Sequence, residues 1–172
     1  MSDPFPLDTP RLQIRPLTPA DVDVYFAMQS NPAVMRYIRP PESDPEAVKA
    51  RMATLMQYAH DNPGLGSMVG AWKTNGQPVA TCVLRHLEFQ PGNDLELGYI
   101  IEPGHWGLGL ATEIAGCLAR YAFGHFGVDK VLAVVDPANQ PSQNVLLKCG
   151  FRQVGRRHIY GSDNLEFVLG RS

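Results

Sequence analysis

The sequence predicts an α/β fold of the α+β kind: a mixed, mostly antiparallel sheet with a central parallel β-α-β unit and helices on both faces. Three observations carry this prediction. Residues 67–73, 78–89 and 95–101 are apolar or β-branched runs separated by the turn sequences Thr74-Asn75-Gly76-Gln77 and Gln90-Pro91-Gly92-Asn93, the pattern of an antiparallel meander. Further on, Leu110, Ile114, Leu118, Ala122 and Phe126 recur at the spacing of one helix face, with Gly127 to close the helix. Val131-Leu132-Ala133-Val134-Val135 then forms an unbroken apolar run of strand length, expected of a strand buried on both faces and parallel to the one before the helix.

The remaining elements follow in order. A strand is expected over residues 9–17. Thr18-Pro19-Ala20-Asp21 starts a helix, with threonine as N-cap, proline at the first helical position and an acid where it meets the helix dipole. That helix runs to about Gln29, where Asn31-Pro32 stops it, because the residue before a proline avoids the helical region. The proline-rich residues 39–45 read as an interhelical loop. Ser43-Asp44-Pro45-Glu46 opens a second helix with a capping-box pattern, and Val48, Met52, Leu55, Met56 and Ala59 mark its buried face. After the β-α-β unit, a short helix over residues 142–148 is closed by Gly150, and two strands over residues 152–160 and 165–169 are joined at Gly161-Ser162-Asp163-Asn164.

A chain of 172 residues suits a single domain, here residues 1–172, with room for a real core. Its formal charge of −2 gives no electrostatic footprint for nucleic acid. The three cysteines, Cys82, Cys117 and Cys149, are odd in number and far apart, so they read as small buried hydrophobes in a reducing cytosol, with neither a disulfide framework nor a zinc site. Met1-Ser2-Asp3-Pro4 has no basic leader and no apolar run approaches membrane-spanning length, so a cytoplasmic protein without a membrane partner is expected.

Function is concentrated in His105-Trp106-Gly107-Leu108-Gly109-Leu110-Ala111-Thr112-Glu113, which lies between the strand at residues 95–101 and the following helix. Glycines two apart let the backbone turn its N–H groups inward, and the helix adds the positive end of its dipole, so the stretch reads as a phosphate site. One alternative is a tight turn that needs glycine only for its dihedrals. Another is a dinucleotide site with Asp136 as the ribose-binding acid, weakened because Thr112 stands where a third glycine belongs and because no second mononucleotide half follows.

Trp106-Gly107-Leu108-Gly109-Leu110-Ala111 resembles the Q/R-x-x-G-x-G/A acetyl-CoA loop of the GNAT N-acetyltransferases, in the branch that contains the ribosomal-protein N-terminal acetyltransferases. Three further pieces agree in order. Thr9 to Leu17 resembles that branch's opening strand, Glu96-Leu97-Gly98-Tyr99-Ile100-Ile101 its central strand, and Asn139 through Ser142 to Lys148-Cys149-Gly150-Phe151 its closing N-x-x-S…K-x-G-F segment. The resemblance implies the GNAT architecture and acetyl-CoA as co-substrate, with Trp106, Gly107, Leu108, Gly109, Leu110, Ala111, Thr112 and Asn139 as cofactor contacts. It also implies that Ile100 and Ile101 bind the pantetheine arm through their backbone, their N–H groups serving as oxyanion donors. The helices near the N-terminus would border the acceptor pocket, which makes Tyr25, Met35, Arg36, Tyr37 and Ile38 candidate substrate contacts.

Acetyl transfer from a thioester to an amine needs a neutral nucleophile, a stabiliser for the oxyanion and a fate for the departing thiolate; it needs no metal. An alkylamine has a pKa of about 10.4 and an α-amine one of about 7.7 to 8.0, so the demand for a base depends on the acceptor. Glu96 stands out because it interrupts an apolar strand, sharing a face with Gly98 and Ile100 while Leu95, Leu97, Tyr99 and Ile101 share the other. It reads as a solvated edge residue, a partner for an arginine, or, with the resemblance, a general base. Ser142 reads as a helix N-cap or, with the resemblance, as the proton donor to the thiolate or a cofactor ligand. Two departures from the family pattern stand beside these: the position of its usual tyrosine acid is Leu146, leaving Ser142, Tyr160 or water, and Leu108 stands where a basic residue is common. Packing explains Cys117 and Cys149 better than a covalent acetyl-enzyme would. Of the histidines, His105 lies beside the cofactor loop and His158 on a late strand.

The function read from the sequence is acetyl-CoA-dependent N-acetylation of a primary amine, a protein N-terminus or a small amine, by direct attack. The rival is a domain that binds acetyl-CoA without catalysis, as a sensor or carrier. A monomer or homodimer is expected.

Overall fold

The computed structural model describes residues 2–172; Met1, part of the N-terminal stretch read above, lies outside the described residues. In chain order the elements are β1 (Leu7–Asp8), β2 (Leu12–Pro16), α1 (Val22–Gln29), α2 (Pro32–Met35), α3 (Pro45–Asp61), β3 (Gly66–Trp72), β4 (Pro78–His86), β5 (Leu95–Ile101), α4 (Leu110–Phe126), β6 (Lys130–Val135), α5 (Gln140–Lys148), β7 (Arg152–Ile159) and β8 (Ser162–Gly170). The strands form one sheet in the order β1-β2-β3-β4-β5-β6-β8-β7. Every neighbouring pair is antiparallel except β5 and β6, which are parallel and linked through α4.

Helices cover both faces, as the sequence predicts. Leu110, Ile114, Leu118 and Ala122 of α4 are fully buried together with Leu12, Ile14, Leu84, Leu97, Val131 and, from α5, Leu146. On the opposite face, Val48, Met52 and Leu55 of α3 pack with Leu17, Tyr25 and Val69. Met56 and Ala59, assigned to that buried face from periodicity, are only half-buried.

The helix starts are governed by side chains that satisfy otherwise unpaired N–H groups. Thr18 N donates to Asp21 Oδ2 at 2.8 Å, and the same carboxylate receives Arg15 through Nη1 and Nη2 at 2.9 and 2.8 Å. Asp44, rather than Ser43, caps α3, its Oδ1 accepting from Glu46 N at 3.0 Å. Asn31-Pro32 ends α1 as expected and then opens the single turn of α2, with Asn31 Oδ1 accepting from Ala33 N at 2.9 Å.

Several boundaries differ from the sequence reading: the strand expected over residues 9–17 is confined to Leu12–Pro16, α1 begins at Val22 after a 3₁₀ turn over Pro19–Asp21, and three further shifts have a local cause. β4 ends at His86, not residue 89, because Glu88 and Phe89 have φ of 55° and 57° and turn the chain out of the sheet. α5 begins at Gln140 because Asn139 caps it. β8 begins at Ser162 because the β7–β8 connection is a two-residue turn, Tyr160 (φ 54°) and Gly161 (φ 81°). Two consecutive left-handed residues match the right-handed twist of the flanking strands. Among the described residues no helix is long and apolar enough to cross a membrane.

Candidate active site

The two parallel strands at the centre of the sheet are in register at one pair only, Glu96 and Leu132, and beyond it they diverge. Between them opens a cleft of about 410 Å³, lined on one wall by Gly98, Tyr99 and Ile100 and on the other by Ala133, Val134, Val135 and Asp136. Antiparallel geometry determines which main-chain groups face it. Leu87 N donates to Asp94 O at 2.9 Å and Glu102 N to Val79 O at 2.8 Å, so Glu96, Gly98 and Ile100, in the same alternation, turn their N–H groups toward β4. Leu97, Tyr99 and Ile101 turn theirs the other way, and for Tyr99 and Ile101 that direction is the open cleft. The assignment of Ile100 N–H as an oxyanion donor is therefore corrected: β4 takes that N–H, although the Ile100 side chain lines the cleft. Ile101 keeps its place, and its carbonyl accepts from Trp106 Nε1 at 2.7 Å.

Glu96 is only 3% exposed, on the face of β5 turned toward α1 to α3. Arg85, its cross-strand neighbour on β4, donates from Nε to Glu96 Oε1 at 2.8 Å, and the Tyr160 hydroxyl donates to the same oxygen. The Arg85 guanidinium lies over Phe89 and Tyr160, 4.3 and 5.0 Å from their ring centres. Glu96 is thus a partner for an arginine, one of the readings open in the sequence. Yet its second oxygen, Oε2, has no partner among the described residues and is not sealed from solvent. Burial, and then the bond to Glu96, push the Tyr160 phenol up to about 12, so it keeps its proton. Its oxygen also accepts from Glu88 N at 2.9 Å.

On the other face of β5, Tyr99 reaches α5. Its hydroxyl lies 3.0 Å from Ser142 Oγ and 3.2 Å from Ser142 O, and burial pushes its pKa up to about 12. Asn139 Oδ1 accepts from Ser142 N at 3.2 Å, so the capping role belongs to Asn139 and leaves the Ser142 hydroxyl free of it. Asn139 and Ser142 both line the cleft. Leu146, in the place of the family's usual tyrosine, is 1% exposed in the main core. Tyr99 was not singled out from sequence as a side-chain participant, because a tyrosine on the apolar face of a strand reads as core.

The glycine loop lies at the start of α4. Gly107 and Gly109 have φ of 77° and 81°, left-handed values that L side chains avoid. A Cβ at Gly107 would meet nothing within 4 Å, and one at Gly109 only Arg11 Nη2 at 3.6 Å, so the conformation, not crowding, requires glycine there. Gly109 is the N-cap and offers no side chain, which leaves the first N–H groups of α4, from Leu110, Ala111 and Thr112, without intrahelical acceptors. The Leu110 side chain is core, while Trp106 and Leu108 are exposed. The loop is held from outside by Arg11, whose Nη2 donates to Leu108 O at 2.6 Å and whose Nε donates to Glu113 Oε2 at 2.6 Å. Burial raises the Glu113 pKa, but hydrogen bonds from Arg11 and Thr9 outweigh it and hold the carboxyl below its ordinary value.

Of the proposed acceptor contacts, Tyr25, Tyr37 and Ile38 line the cleft. Two placements are corrected. Met35 is 1% exposed and packs with Met28 and Val34, because α2 turns it inward. Arg36 is exposed with its guanidinium over the Tyr37 ring at 5.1 Å and lies outside the cleft wall. Arg39 and Arg51 line the cleft in its place, and nothing in the sequence distinguished them from solvated arginines. Burial raises the pKa of all three thiols. His105 bonds to Glu102, and His158 pairs with Asp163 at 2.7 Å on the exposed side of β7.

The acetyltransferase (GNAT) domain matches residues 11–152. The uncharacterized N-acetyltransferase YoaA of Bacillus subtilis (strain 168) is 31% identical over 161 residues, covering 91% of this chain and 89% of YoaA. Among solved structures, the acetyltransferase from Agrobacterium tumefaciens str. C58 aligns with a TM-score of 0.82 at 24% identity, over 96% of this chain and 94% of that one. Mycobacterium smegmatis RimJ in complex with CoA-disulfide aligns with a TM-score of 0.78 at 18% identity, over 99% and 90%. At those identities the two structures speak for the fold.

Proposed function

The chain belongs to the GNAT acetyltransferase family and is an acetyl-CoA-dependent N-acetyltransferase, and from that premise we propose that a primary amine attacks the thioester directly, with Glu96 as base and Ser142, backed by Tyr99, as proton source for the thiol. The observation that carries this reading is the position of Glu96 at the one residue of β5 in register with β6, where the cleft begins, with one carboxylate oxygen tied to Arg85 and Tyr160 and the other open.

The residues present fit the co-substrate. Glycines at left-handed φ and the uncapped first turn of α4 suit a pyrophosphate, and the diverging strands expose main-chain groups at the spacing of a strand. Acetyl-CoA supplies the activated acyl carbon and a thiol leaving group. Glu96 Oε2 takes a proton from the amine, directly or through water, as nitrogen bonds to the carbonyl carbon. The Tyr99 and Ile101 N–H groups are donors for the negative charge that develops at the carbonyl oxygen. As the carbon–sulfur bond breaks, Ser142 Oγ passes its proton to sulfur while taking one from Tyr99 Oη, 3.0 Å away, and the phenol regains its proton from solvent in the open cleft. Tyr160, which the sequence left as a possible acid, is engaged with Glu96 instead. The raised thiol pKa values support direct attack over an acetyl-cysteine.

Incubating the protein with acetyl-CoA and a panel of primary amines, while following free thiol and product mass, tests the reading. Acetylated amine formed in step with thiol is the expected result. Tight coenzyme A binding with no acetylated amine across the panel would overturn it in favour of a carrier or sensor.

A further inference from the structure

The acceptor half of the cleft carries more positive charge than acetyl transfer requires. Arg39, Arg51 and Arg85 line it, and the carboxylates on its walls are Glu96 and, at the end of β6, Asp136. Arg85 is matched by Glu96. Asp136 holds its own turn, with Oδ1 accepting from Ala138 N at 2.8 Å. Among the described residues, Arg39 and Arg51 have no carboxylate within ion-pair distance. Their partners are neutral. Arg39 Nη2 donates to the side-chain oxygen of Gln29, which is 3% exposed, and Arg51 Nε donates to the hydroxyl of buried Tyr25 at 3.1 Å. A guanidinium has five N–H donors in a planar fork, so these single bonds leave most of each fork open. The Arg39 pKa is lowered, by burial first and then by the like charge of Arg51, a tension that a bound anion would relieve.

We propose that the acceptor is a primary amine that also carries an oxyanion, a carboxylate or a phosphate, which Arg39 and Arg51 bind while Glu96 faces the amine. The proposal rests on the acetyl-transfer reading above and names the substrate class of the same site. Both oxyanions match the guanidinium fork, which can donate two parallel bonds to either. The same pair of charges repels an acceptor that carries additional positive charge, so the cleft selects by sign before it selects by shape.

The test compares amines that differ in the oxyanion alone: β-alanine against propylamine, O-phosphoethanolamine against ethanolamine, and spermidine as a polycation. The oxyanion-bearing member is expected to have the higher kcat/KM by about 10- to 100-fold, the worth of a hydrogen bond to a charged group, with the difference in KM. Whichever pair shows the larger ratio identifies carboxylate or phosphate. Arg39→Gln and Arg51→Gln each bring the ratio toward one, whereas Lys49→Gln, which removes a positive charge from the same helix as Arg51 but outside the cleft, keeps it. Neutral amines or spermidine turned over as well as the anionic ones would overturn the proposal while leaving acetyl transfer standing. If no amine is acetylated, acetyl transfer itself fails, and calorimetric titration with β-alanine and O-phosphoethanolamine decides the proposal separately. Binding that Arg39→Gln or Arg51→Gln abolishes supports it; no binding, or binding indifferent to both variants, overturns it.

Discussion

On the side of the cleft proposed for the cofactor the groups that face inward are mostly main-chain atoms, whereas on the side proposed for the acceptor they are side chains. Gly107, Gly109 and the first turn of α4 present N–H groups, and β5 presents those of Tyr99 and Ile101; all come from one stretch between residues 95 and 112. The acceptor wall is assembled from Tyr25 on α1, Arg39 in a loop, Arg51 on α3, Arg85 on β4, Glu96 on β5 and Tyr160 in the β7–β8 turn. A main-chain site tolerates change in most side chains and depends on a few backbone conformations. A side-chain site depends on every residue that contributes, so the acceptor wall can change its ligand while the cofactor wall does not.

The largest expected effect on this contrast is at Glu96. Glu96→Gln should lower kcat by roughly 10²- to 10⁴-fold, the usual worth of general acid–base catalysis, while calorimetry shows unaltered coenzyme A affinity. Raising the pH should restore part of the loss, because a growing fraction of the amine is then already neutral. Full activity across the pH range would mean that the carboxylate only holds Arg85 and Tyr160 in place.

Gly109→Val probes the main-chain side. The left-handed φ of 81° costs a β-branched residue about 1–3 kcal/mol, so the loop should leave this conformation and coenzyme A affinity should fall by about 10- to 100-fold. The melting temperature should drop only a few degrees, since no Cβ clash with the core arises. Unchanged affinity would remove the first turn of α4 from the cofactor site.

Tyr99→Phe and Ser142→Ala should each reduce kcat by about tenfold or less, because water can protonate a thiolate of this basicity. The low-pH limb, set by the base, should stay where it is. If the two hydroxyls act as a pair, the double variant is no slower than Ser142→Ala alone; additive losses would separate them. A Ser142→Ala protein that melts earlier with kcat intact would make the serine structural.

The smallest effect concerns the Arg11–Glu113 clamp under the loop. The Glu113 pKa is lower folded than unfolded, so the stability it contributes is complete above its ordinary value of about 4.3 and is lost as pH falls through the folded value. Arg11→Gln should make the acid limb of a melting-temperature profile shallower, by an amount on the order of 1 kcal/mol or less, because the arginine is partly exposed. An identical acid limb would show that Thr9 and the main-chain N–H of residue 11 set the carboxyl without the guanidinium.

The same contrast explains what was legible in the sequence. Strand and helix positions, the parallel unit and the glycine loop all followed from short-range pattern, since period, turn residues and positive-φ glycines act within a few residues. α4 matches its periodic pattern at both ends, Leu110 and Phe126. Boundaries failed where a single backbone angle decided them, at Glu88 and Tyr160. Arg39 and Arg51 were hidden because an arginine in a polar loop or on an exposed helix face carries no local sign of what it faces. Tyr99 was hidden for the opposite reason, its ring belonging to the core while its hydroxyl does not. Met35 was misplaced because the one-turn helix α2, signalled only by Asn31-Pro32, is too short for its sequence to show which side points inward.

The single register pair between β5 and β6 also gives this sheet an edge that is not at its rim. Unpaired strand edges invite other strands to add to them, and proteins commonly blunt or cover them for that reason. Here an exposed ladder of N–H and C=O groups is enclosed in the middle of the molecule, between walls only as far apart as the strands diverge. A thin chain whose amides are joined by unbranched methylenes, as in the cysteamine and β-alanine portions of the pantetheine arm, can be stitched in as an extra strand, which is how the cofactor reading proposed above would use the gap.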